Sequence, residues 1–376
     1  MQKYIIFLIF AAAATNISLA EARDTISIVG SSTVYPFSTV VAERFGKSTD
    51  FKAPKVESTG SGGGFKLFCK GVGVATPDIT NSSRRIKIGE FQDCRNNGVK
   101  DLVEVLIGYD GIVLANAKGG TPYQLSRKDI YMALAKMVPG VDGKLIANPN
   151  KTWKDVNAAL PAVKIEVLGP PPTSGTRDAF AELALEGGAG KVEDIAKLRE
   201  MNADDQAGIA AMAAKLGISS AWESVVASKG AKAKGKDLVK VIGRSVREDG
   251  AYIEAGENDN LIVNKLVANP DALGIFGFSF LDQNSDKVQG SIIDGHAPSF
   301  EAIATGEYAI SRPLYFYVKK AHIGTVPGIA EFLSTFVGED AMGEDGYLVD
   351  RGLIPLGEAQ FTEMAAAVKA HTSLEM

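Results

Sequence analysis

Three turns rich in glycine and hydroxyl residues each stand between a predicted strand and a predicted helix. They occupy residues 30–34 (GSSTV), 60–64 (GSGGG) and 174–177 (SGTR). Glycine lets the backbone approach an anion closely, and hydroxyl groups donate hydrogen bonds without adding charge. In open α/β sheets the ligand binds at the carboxyl ends of the strands, where such turns lie. One turn of this kind is weak evidence, but three with the same plan predict an α/β protein that binds an anion.

The third turn has the sequence that points most clearly to an anion. Residues 169–180, GPPPTSGTRDAF, place three prolines before the turn and a helical pattern after it. A helix that begins this way presents unpaired backbone N–H groups and the positive end of its dipole. Arg177 follows directly, and a guanidinium can bind an oxyanion through two parallel hydrogen bonds. Arg84 follows another serine-rich turn, where either an anion contact or a surface salt bridge fits the sequence.

Asp110 is an acidic residue in the middle of the largely apolar run 103–117, VEVLIGYDGIVLANA. The run predicts a buried strand that changes direction near its middle. Monohydrogen phosphate carries a proton that needs an acceptor, whereas sulfate carries none, so a carboxylate in a cleft would favour phosphate. A turn aspartate in Tyr-Asp-Gly is the alternative reading of the same residue. The sequence leaves both open.

Three other segments bear on the architecture. Residues 307–320, EYAISRPLYFYVKK, predict a second long strand. The lysine-rich segment 231–240 predicts a solvated turn, not a nucleic-acid contact. The acidic segment 248–260 lacks the ligand spacing of a calcium loop and predicts the start of a surface helix.

The amino terminus has the pattern of a secretory signal peptide. One lysine precedes an apolar run that ends in small residues, which predicts a leader over residues 1–20 with cleavage after Ala20 or Ala22. The alternative, an N-terminal membrane anchor, is less favoured because the apolar run is short for a membrane span. The mature protein is therefore predicted to be exported.

The chain has two cysteines, Cys69 and Cys94. In an exported protein this pair predicts one disulfide bond, with a reduced pair or a metal site as the alternatives. Two cysteines and three histidines make a poor ligand set for zinc, so no metal site is predicted.

Composition and motifs exclude several classes of function. A net charge of −5 argues against nucleic acid, which favours a basic surface. The Gly-Lys-Ser at 46–48 lacks the glycine that a Walker A loop needs, because Val41 stands there. No Gly-x-Ser-x-Gly elbow supports a serine hydrolase, and His296 and His322 are predicted to be surface histidines.

Together these segments are familiar. The chain resembles the phosphate-binding protein of bacterial ABC phosphate importers, a family of type II periplasmic binding proteins. The likeness covers nearly the whole mature sequence and rests on motifs that follow the family's order: GSSTVYP at 30–36, SGGG at 61–64, PDITNSSR at 77–84, SGTR at 174–177, LGIFGF at 273–278 and SRPL at 311–314.

The resemblance implies a fold of two α/β lobes with the ligand cleft between them. Residues 24–110 and 311–376 would form one lobe and residues 111–310 the other. Two hinge strands would cross between the lobes near Asp110 and Ser311.

The resemblance also implies a phosphate site built from both lobes. The implied contacts are Ser32, Thr33, Val34, Ser61, Ser83, Arg84, Asp110, Ser174, Gly175, Thr176 and Arg177. The chain departs from the family twice: some members have an aspartate where Ser83 stands, and some have an arginine where this chain has prolines at 170–172. Arg177 and Arg84 would therefore supply the cationic contact, and Asp110 is the candidate proton acceptor.

The expected function is capture of inorganic phosphate in the periplasm and delivery to the membrane permease of an ABC importer. The protein is expected to act as a monomer, without a cofactor and without covalent chemistry. Three alternatives remain: a receptor for sulfate, molybdate or another tetrahedral oxyanion, a secreted phosphoester hydrolase, and an exported adhesin or scaffold.

Overall fold

The structure is a computed structural model that describes residues 23–256 and 259–376. The predicted signal peptide lies outside these residues. Across the described part of the chain, no helix combines the length and the apolar composition that crossing a bilayer requires.

The strands are short except for two. Their bounds are β1 Ser27–Gly30, β2 Lys55–Ser58, β3 Ile79–Ser82, β4 Leu102–Ala117, β5 Gln124–Leu125, β6 Met137–Pro139, β7 Leu145–Ala147, β8 Val167–Gly169, β9 Tyr252–Glu254, β10 Leu273–Gly277, β11 Val288–Gly290, β12 Ile292–Ile293 and β13 Ser311–Lys319.

Helices separate most of these strands. Their bounds are α1 Tyr35–Ser48, α2 Ser61–Phe68, α3 Ile88–Asn96, α4 Arg127–Leu134, α5 Trp153–Val156, α6 Gly175–Phe180, α7 Gly187–Ala189, α8 Glu193–Glu200, α9 Gln206–Lys215, α10 Ser219–Lys229, α11 Gly235–Gly243, α12 Asp259–Ala268, α13 Phe278–Gln283, α14 Phe300–Ala304, α15 Ile329–Phe336, α16 Glu339–Met342 and α17 Glu358–Lys369. A π-helical segment, Ala181–Glu186, joins α6 to α7, and 3₁₀ turns lie at Gly230–Lys232, Lys320–His322 and Val349–Arg351.

One mixed sheet runs through the molecule. Within the described residues its order is β2-β1-β3-β13-β4-β10-β8-β9, and β11 also pairs with β4. The strands β1, β2 and β3 are parallel to one another, and so are β8, β9 and β10. Each parallel group has its own carboxyl edge, so the sheet has two halves that can each present loops to a ligand.

The two long strands join these halves. β13 pairs with β4 from Lys319 opposite Leu102 to Ser311 opposite Gly111, and β10 and β11 pair with the rest of β4. The register shifts between Leu314 and Tyr315, opposite Gly108, whose φ of +144° few residues other than glycine adopt. The predicted strand that changes direction near its middle is therefore confirmed.

β4 is buried almost throughout, as its apolar sequence predicts. Only Glu104 and Asp110 are half-buried, and all its other residues are buried. These two carboxylates are the points where the central strand meets charged partners.

The predicted disulfide is confirmed, since Cys69 and Cys94 are bonded. The bond lies in a small apolar cluster beside Phe65, Phe68 and Phe91. It links the end of α2 to α3.

Two segment predictions were only partly right, because each segment also contains an element that the sequence analysis missed. The lysine-rich segment 231–240 contains the start of α11, whose Leu238, Val239 and Ile242 are buried at helical spacing while its lysines face outward. The segment 248–260 contains strand β9, which pairs with β8, and the predicted helix start follows only at Asp259, where α12 begins. In both segments the apolar residues, not the charges, decide the structure.

Candidate functional site

The first two glycine-rich turns lie side by side at one edge of the sheet. Gly30 pairs with Ser58 of β2 and with Asn81 of β3, so the turns after all three strands share this edge. A Cβ on Gly30 would lie 2.2 Å from the Asn81 carbonyl oxygen, and one on Gly64 would lie 2.6 Å from Gly30 Cα. Glycine is required at both positions because backbone meets backbone there.

The first turn leads directly into α1. Ser31 N donates to the Asn81 carbonyl oxygen at 2.9 Å, and Tyr35 N donates to the Ser31 carbonyl oxygen at 3.0 Å. Val34 N makes only a long contact, 3.4 Å, to Ser31 Oγ. The Val34 N–H is therefore only weakly used at the positive end of α1.

The second turn lies beside the turn after β3. Ser83 N donates to Ser61 Oγ at 3.1 Å, and the two hydroxyl oxygens are 3.2 Å apart. The structure thus brings Ser61 and Ser83 together as a hydroxyl pair.

The third turn comes from the other half of the sheet and meets the first. It follows β8, and α6 begins at Gly175 with Ser174 as its N-cap. A Cβ on Gly175 would lie 4.0 Å from both the Ser32 carbonyl oxygen and Thr33 Cα. The third turn therefore meets the first turn where Gly175 lies beside Ser32 and Thr33.

Arg177, next to the third turn, is held by an aromatic ring. Its Cζ lies 4.1 Å from the centre of the Tyr252 ring, a cation–π contact, and the Tyr252 hydroxyl donates to the Pro170 carbonyl oxygen at 2.7 Å. Burial raises the pKa of Tyr252, although the nearby Arg177 guanidinium opposes that shift. Among the described residues, Arg177 Nη1 is buried and has no hydrogen-bond partner. A buried donor without a partner is what an oxyanion contact would satisfy.

Asp110 forms a charged node with Arg312, its cross-strand neighbour on β13. Arg312 donates from Nε to Asp110 Oδ2 at 3.3 Å, from Nη1 to Glu182 Oε2 at 3.1 Å and from Nη2 to Thr33 Oγ1 at 2.7 Å. Burial raises the pKa of Asp110, although Arg312 opposes the shift. Burial would also raise the pKa of Glu182, but Arg312 and Arg244 outweigh it and leave that pKa below its usual value.

Arg84 has partners of its own, apart from this group. Its two terminal nitrogens donate to the Glu90 carboxylate at 2.8 and 2.7 Å, and its Cζ lies 5.5 Å from the Phe65 ring centre. Both nitrogens are engaged in the surface salt bridge that the sequence left as the alternative. We therefore leave Arg84 out of the candidate site.

One histidine prediction was also wrong. His296 is exposed, as predicted, but His322 is only 1% exposed. Its Nδ1 lies 2.6 Å from Asp78 Oδ1 and its Nε2 lies 2.7 Å from the Val72 carbonyl oxygen. The two partners saturate the ring, so His322 is a structural residue.

The sequence reasoning missed Arg312 and Glu182. Arg312 was visible only as part of the SRPL motif, because its link to Asp110 depends on the register of two strands about 200 residues apart. Glu182 lies in the π-helical segment, a distortion that is frequent at functional sites and has no clear sequence signature.

A groove of about 1180 Å³ opens elsewhere, between residues 278–300 and 339–362. The described residues that line it include none of the predicted anion contacts. The groove is therefore separate from the candidate site.

Comparison with known proteins bears on the fold and the family. A family profile described as a PBP superfamily domain matches residues 18–340. The chain is 27% identical to "Phosphate-binding protein PstS" of Staphylococcus saprophyticus, over 89% of this chain and 81% of that protein. It is 29% identical to the PstS protein of Staphylococcus epidermidis, over 85% and 77%.

A solved structure gives the same answer for the fold. A protein of Planctomyces limnophilus, described as a possible phosphate binding protein, superposes with a TM-score of 0.67 at 23% identity, over 93% of this chain and 98% of that one. The predicted two-lobed α/β fold is confirmed. By the extent of the profile match, this chain belongs to the PBP superfamily of substrate-binding proteins.

Proposed function

We propose that this protein binds one inorganic phosphate ion between its two lobes and delivers it to the permease of an ABC importer. The observation that carries the proposal is the meeting of the first and third turns, at Ser32, Thr33 and Gly175. Beside it lie the half-buried Asp110 carboxylate and an arginine nitrogen that has no hydrogen-bond partner among the described residues. Relatives that cover most of the chain are named phosphate-binding proteins, which supports the same ligand.

The lobes in this proposal are residues 24–110 with 311–376, and residues 111–310. Thr33, the Val34 N–H and Ser61 donate from the first lobe, with Ser32 and Ser83 beside them. Ser174, Gly175 and Thr176 donate from the second lobe, and Arg177 supplies the cationic contact. Hydrogen bonds to a charged group contribute roughly 1.5–3 kcal/mol each, so several are enough for micromolar binding.

Asp110 gives the site its preference for phosphate. Arg312 occupies Asp110 Oδ2, whereas no hydrogen bond among the described residues engages Oδ1. That oxygen accepts the proton of a bound hydrogen phosphate and repels sulfate, which has no proton to offer. Without a carboxylate at Ser83, Asp110 is the acceptor that the site requires.

The protein acts outside the cytoplasm as a monomeric receptor. The leader over residues 1–20 directs it to the periplasm and is removed, and the mature chain closes around phosphate because only the closed form makes contacts from both lobes. The proposal includes no covalent chemistry.

Calorimetric titration with phosphate and with sulfate, each at pH 6 and pH 8, tests the proposal on phosphate-stripped protein. We expect tight one-to-one binding of phosphate and no heat from sulfate. Equal binding of both anions would mean that the protein binds tetrahedral oxyanions in general. Ser83, which stands where some family members have an aspartate, is the feature that favours this outcome. Sustained turnover of a chromogenic phosphoester would contradict a pure binding protein, and silence for both anions would overturn the proposal.

A further inference from the structure

Arg312 connects three separate parts of the chain. It is only 7% exposed, and its contacts come from the first turn (Thr33), the hinge strand β4 (Asp110) and the π-helical segment (Glu182). Thr33 and Glu182 belong to opposite lobes of the proposed cleft. The guanidinium therefore lies where the first turn, the hinge and the second lobe meet.

Its contact with Thr33 decides the role of that hydroxyl. A guanidinium carries only donors, so Thr33 Oγ1 must accept the 2.7 Å hydrogen bond from Arg312 Nη2. The single proton of the hydroxyl is then free to point away from Arg312. A cation on the oxygen also makes the O–H a stronger donor.

Arg312 differs from Arg177 in what it has left to offer. Each of its three nitrogens already donates, to two carboxylates and one hydroxyl. Arg177 Nη1, in contrast, is buried and has no hydrogen-bond partner in the part of the chain that the structure describes. Nη1 and Nη2 of Arg312 each keep a second N–H, but every nitrogen of this guanidinium already has one partner. We therefore assign the direct contact with the anion to Arg177 and an indirect role, through Thr33, to Arg312.

We propose that Arg312 is a positioning residue that fixes the Thr33 hydroxyl as a donor to the bound oxyanion. Asp110 and Glu182 orient the guanidinium and balance its charge, so that the anion meets the hydroxyl and not the arginine. This inference rests on the proposed function, because it assigns a role within the same site.

A double-mutant cycle measured by calorimetry with inorganic phosphate tests it. We expect Thr33→Val to weaken phosphate binding by about tenfold to a hundredfold, the loss of one charge-assisted hydrogen bond. Arg312→Gln should weaken phosphate binding to a similar degree. The double variant should bind phosphate at most about threefold more weakly than Thr33→Val alone. The losses of phosphate affinity in Arg177→Gln and Thr33→Val should instead multiply, because each substitution removes its own contact with the anion.

The matched control is Arg84→Gln, which removes another arginine from a carboxylate pair outside the site and should leave phosphate affinity unchanged. Thermal unfolding shows whether each variant is folded. If Arg312→Gln does not fold, Glu182→Gln replaces it in the cycle, because it removes a partly exposed partner of Arg312. Its effect on phosphate affinity should likewise disappear when Thr33 is already valine.

The outcomes are distinct. Multiplicative losses for Arg312 and Thr33, or no loss in Arg312→Gln, would overturn the positioning role while leaving phosphate binding intact. A wild-type protein that binds neither phosphate nor sulfate would overturn the proposed function and this inference with it.

Discussion

Strand β13 carries a buried cation near each end, and the two cations are held in opposite ways. Arg312, at the cleft, is balanced by the carboxylates of Asp110 and Glu182. Lys319, at the other end, is fully buried and forms no salt bridge among the described residues; its Nζ donates to Thr76 Oγ1 at 2.6 Å and lies 4.9 Å from the Phe68 ring centre.

The carboxylate of Asp78, which acts electrostatically on Lys319, already has other hydrogen-bond partners. Asp78 is completely buried, and it accepts from Arg23, from His322 and from Ser27 N. Burial accordingly lowers the pKa of Lys319 to about 7, with only partial opposition from Asp78. An arginine stays charged under all ordinary conditions, whereas a lysine can lose its charge when buried.

We interpret Arg312 as a charge that serves ligand binding and Lys319 as a charge that serves the structure. The cleft end keeps a permanent cation with a partner on each side, which suits a site that orders donors for an anion. The far end buries polar groups to tie together the start of β1, the start of β3 and the end of β13. We expect mutations at the far end to change stability and those at the cleft end to change binding.

Asp78→Asn should have the largest effect on stability. The amide cannot accept from all three donors, and it leaves the half-buried guanidinium of Arg23 and the buried His322 without their carboxylate partner. Breaking a buried pair in this way destabilises a protein by about 3–5 kcal/mol. Urea unfolding measures the change, and the folded fraction should bind phosphate with wild-type affinity.

Asp24→Asn is the matched control, because that aspartate forms an exposed pair with Lys52. It should leave the unfolding free energy nearly unchanged. A loss of phosphate affinity in Asp78→Asn that exceeds its loss of folded protein would break the division between the two ends of β13.

Asp110→Asn should have the largest effect on ligand choice. The amide removes the proton acceptor, so phosphate affinity should fall by about tenfold or more while sulfate binding becomes measurable. Because burial raises the pKa of Asp110, acidification neutralises part of the wild-type carboxyl. Sulfate affinity of the wild type should therefore rise as the pH falls, and that of Asp110→Asn should stay flat.

Calorimetry with both anions between pH 5 and pH 8 tests this expectation. Glu104→Gln is the control, because Glu104 lies on the same strand and pairs with Arg85 away from the cleft. An unchanged ratio of phosphate to sulfate affinity in Asp110→Asn would show that another group accepts the proton.

Only part of the fold and of the candidate site could be predicted from the sequence. The long strands, the disulfide and the three turns could be predicted because each depends on local pattern: apolar runs, cysteine count, glycine beside hydroxyl. Arg312 and His322 could not, because their partners Asp110 and Asp78 lie more than 200 residues away along the chain. A charged residue's role depends on which strand lies beside it, and that is set by the whole sheet.

Lys319→Met should change the pH dependence of stability. Between pH 7 and the ordinary lysine value of 10.5, the unfolded chain holds a proton that the native protein has released. Stability of the wild type should therefore rise with pH in this window, by at most about 1.4 kcal/mol per pH unit from this group. Methionine, which has similar volume and no charge, should remove that slope.

Unfolding free energies at pH 7, 8 and 9 give the slope for each variant. Lys320→Met is the control, because Lys320 is the exposed neighbour of Lys319 and its replacement should leave the slope unchanged. Equal slopes in the wild type and Lys319→Met would mean that the ammonium keeps its charge in the native protein.

Arg84→Gln should have the smallest effect, and it calibrates the comparison. Arg84 has a bidentate carboxylate partner, as a working arginine could, but the pair is partly exposed, with side-chain exposures of 32% and 22%. Solvent screening limits such a pair to about 1 kcal/mol or less. Unfolding should show a small loss at low salt that shrinks at high salt, and phosphate affinity should not change. A tenfold loss of phosphate affinity would return Arg84 to the site. If affinity does not change, an ion pair with a carboxylate is not enough to give an arginine a part in binding. The feature that distinguishes Arg312 is then its position between the lobes.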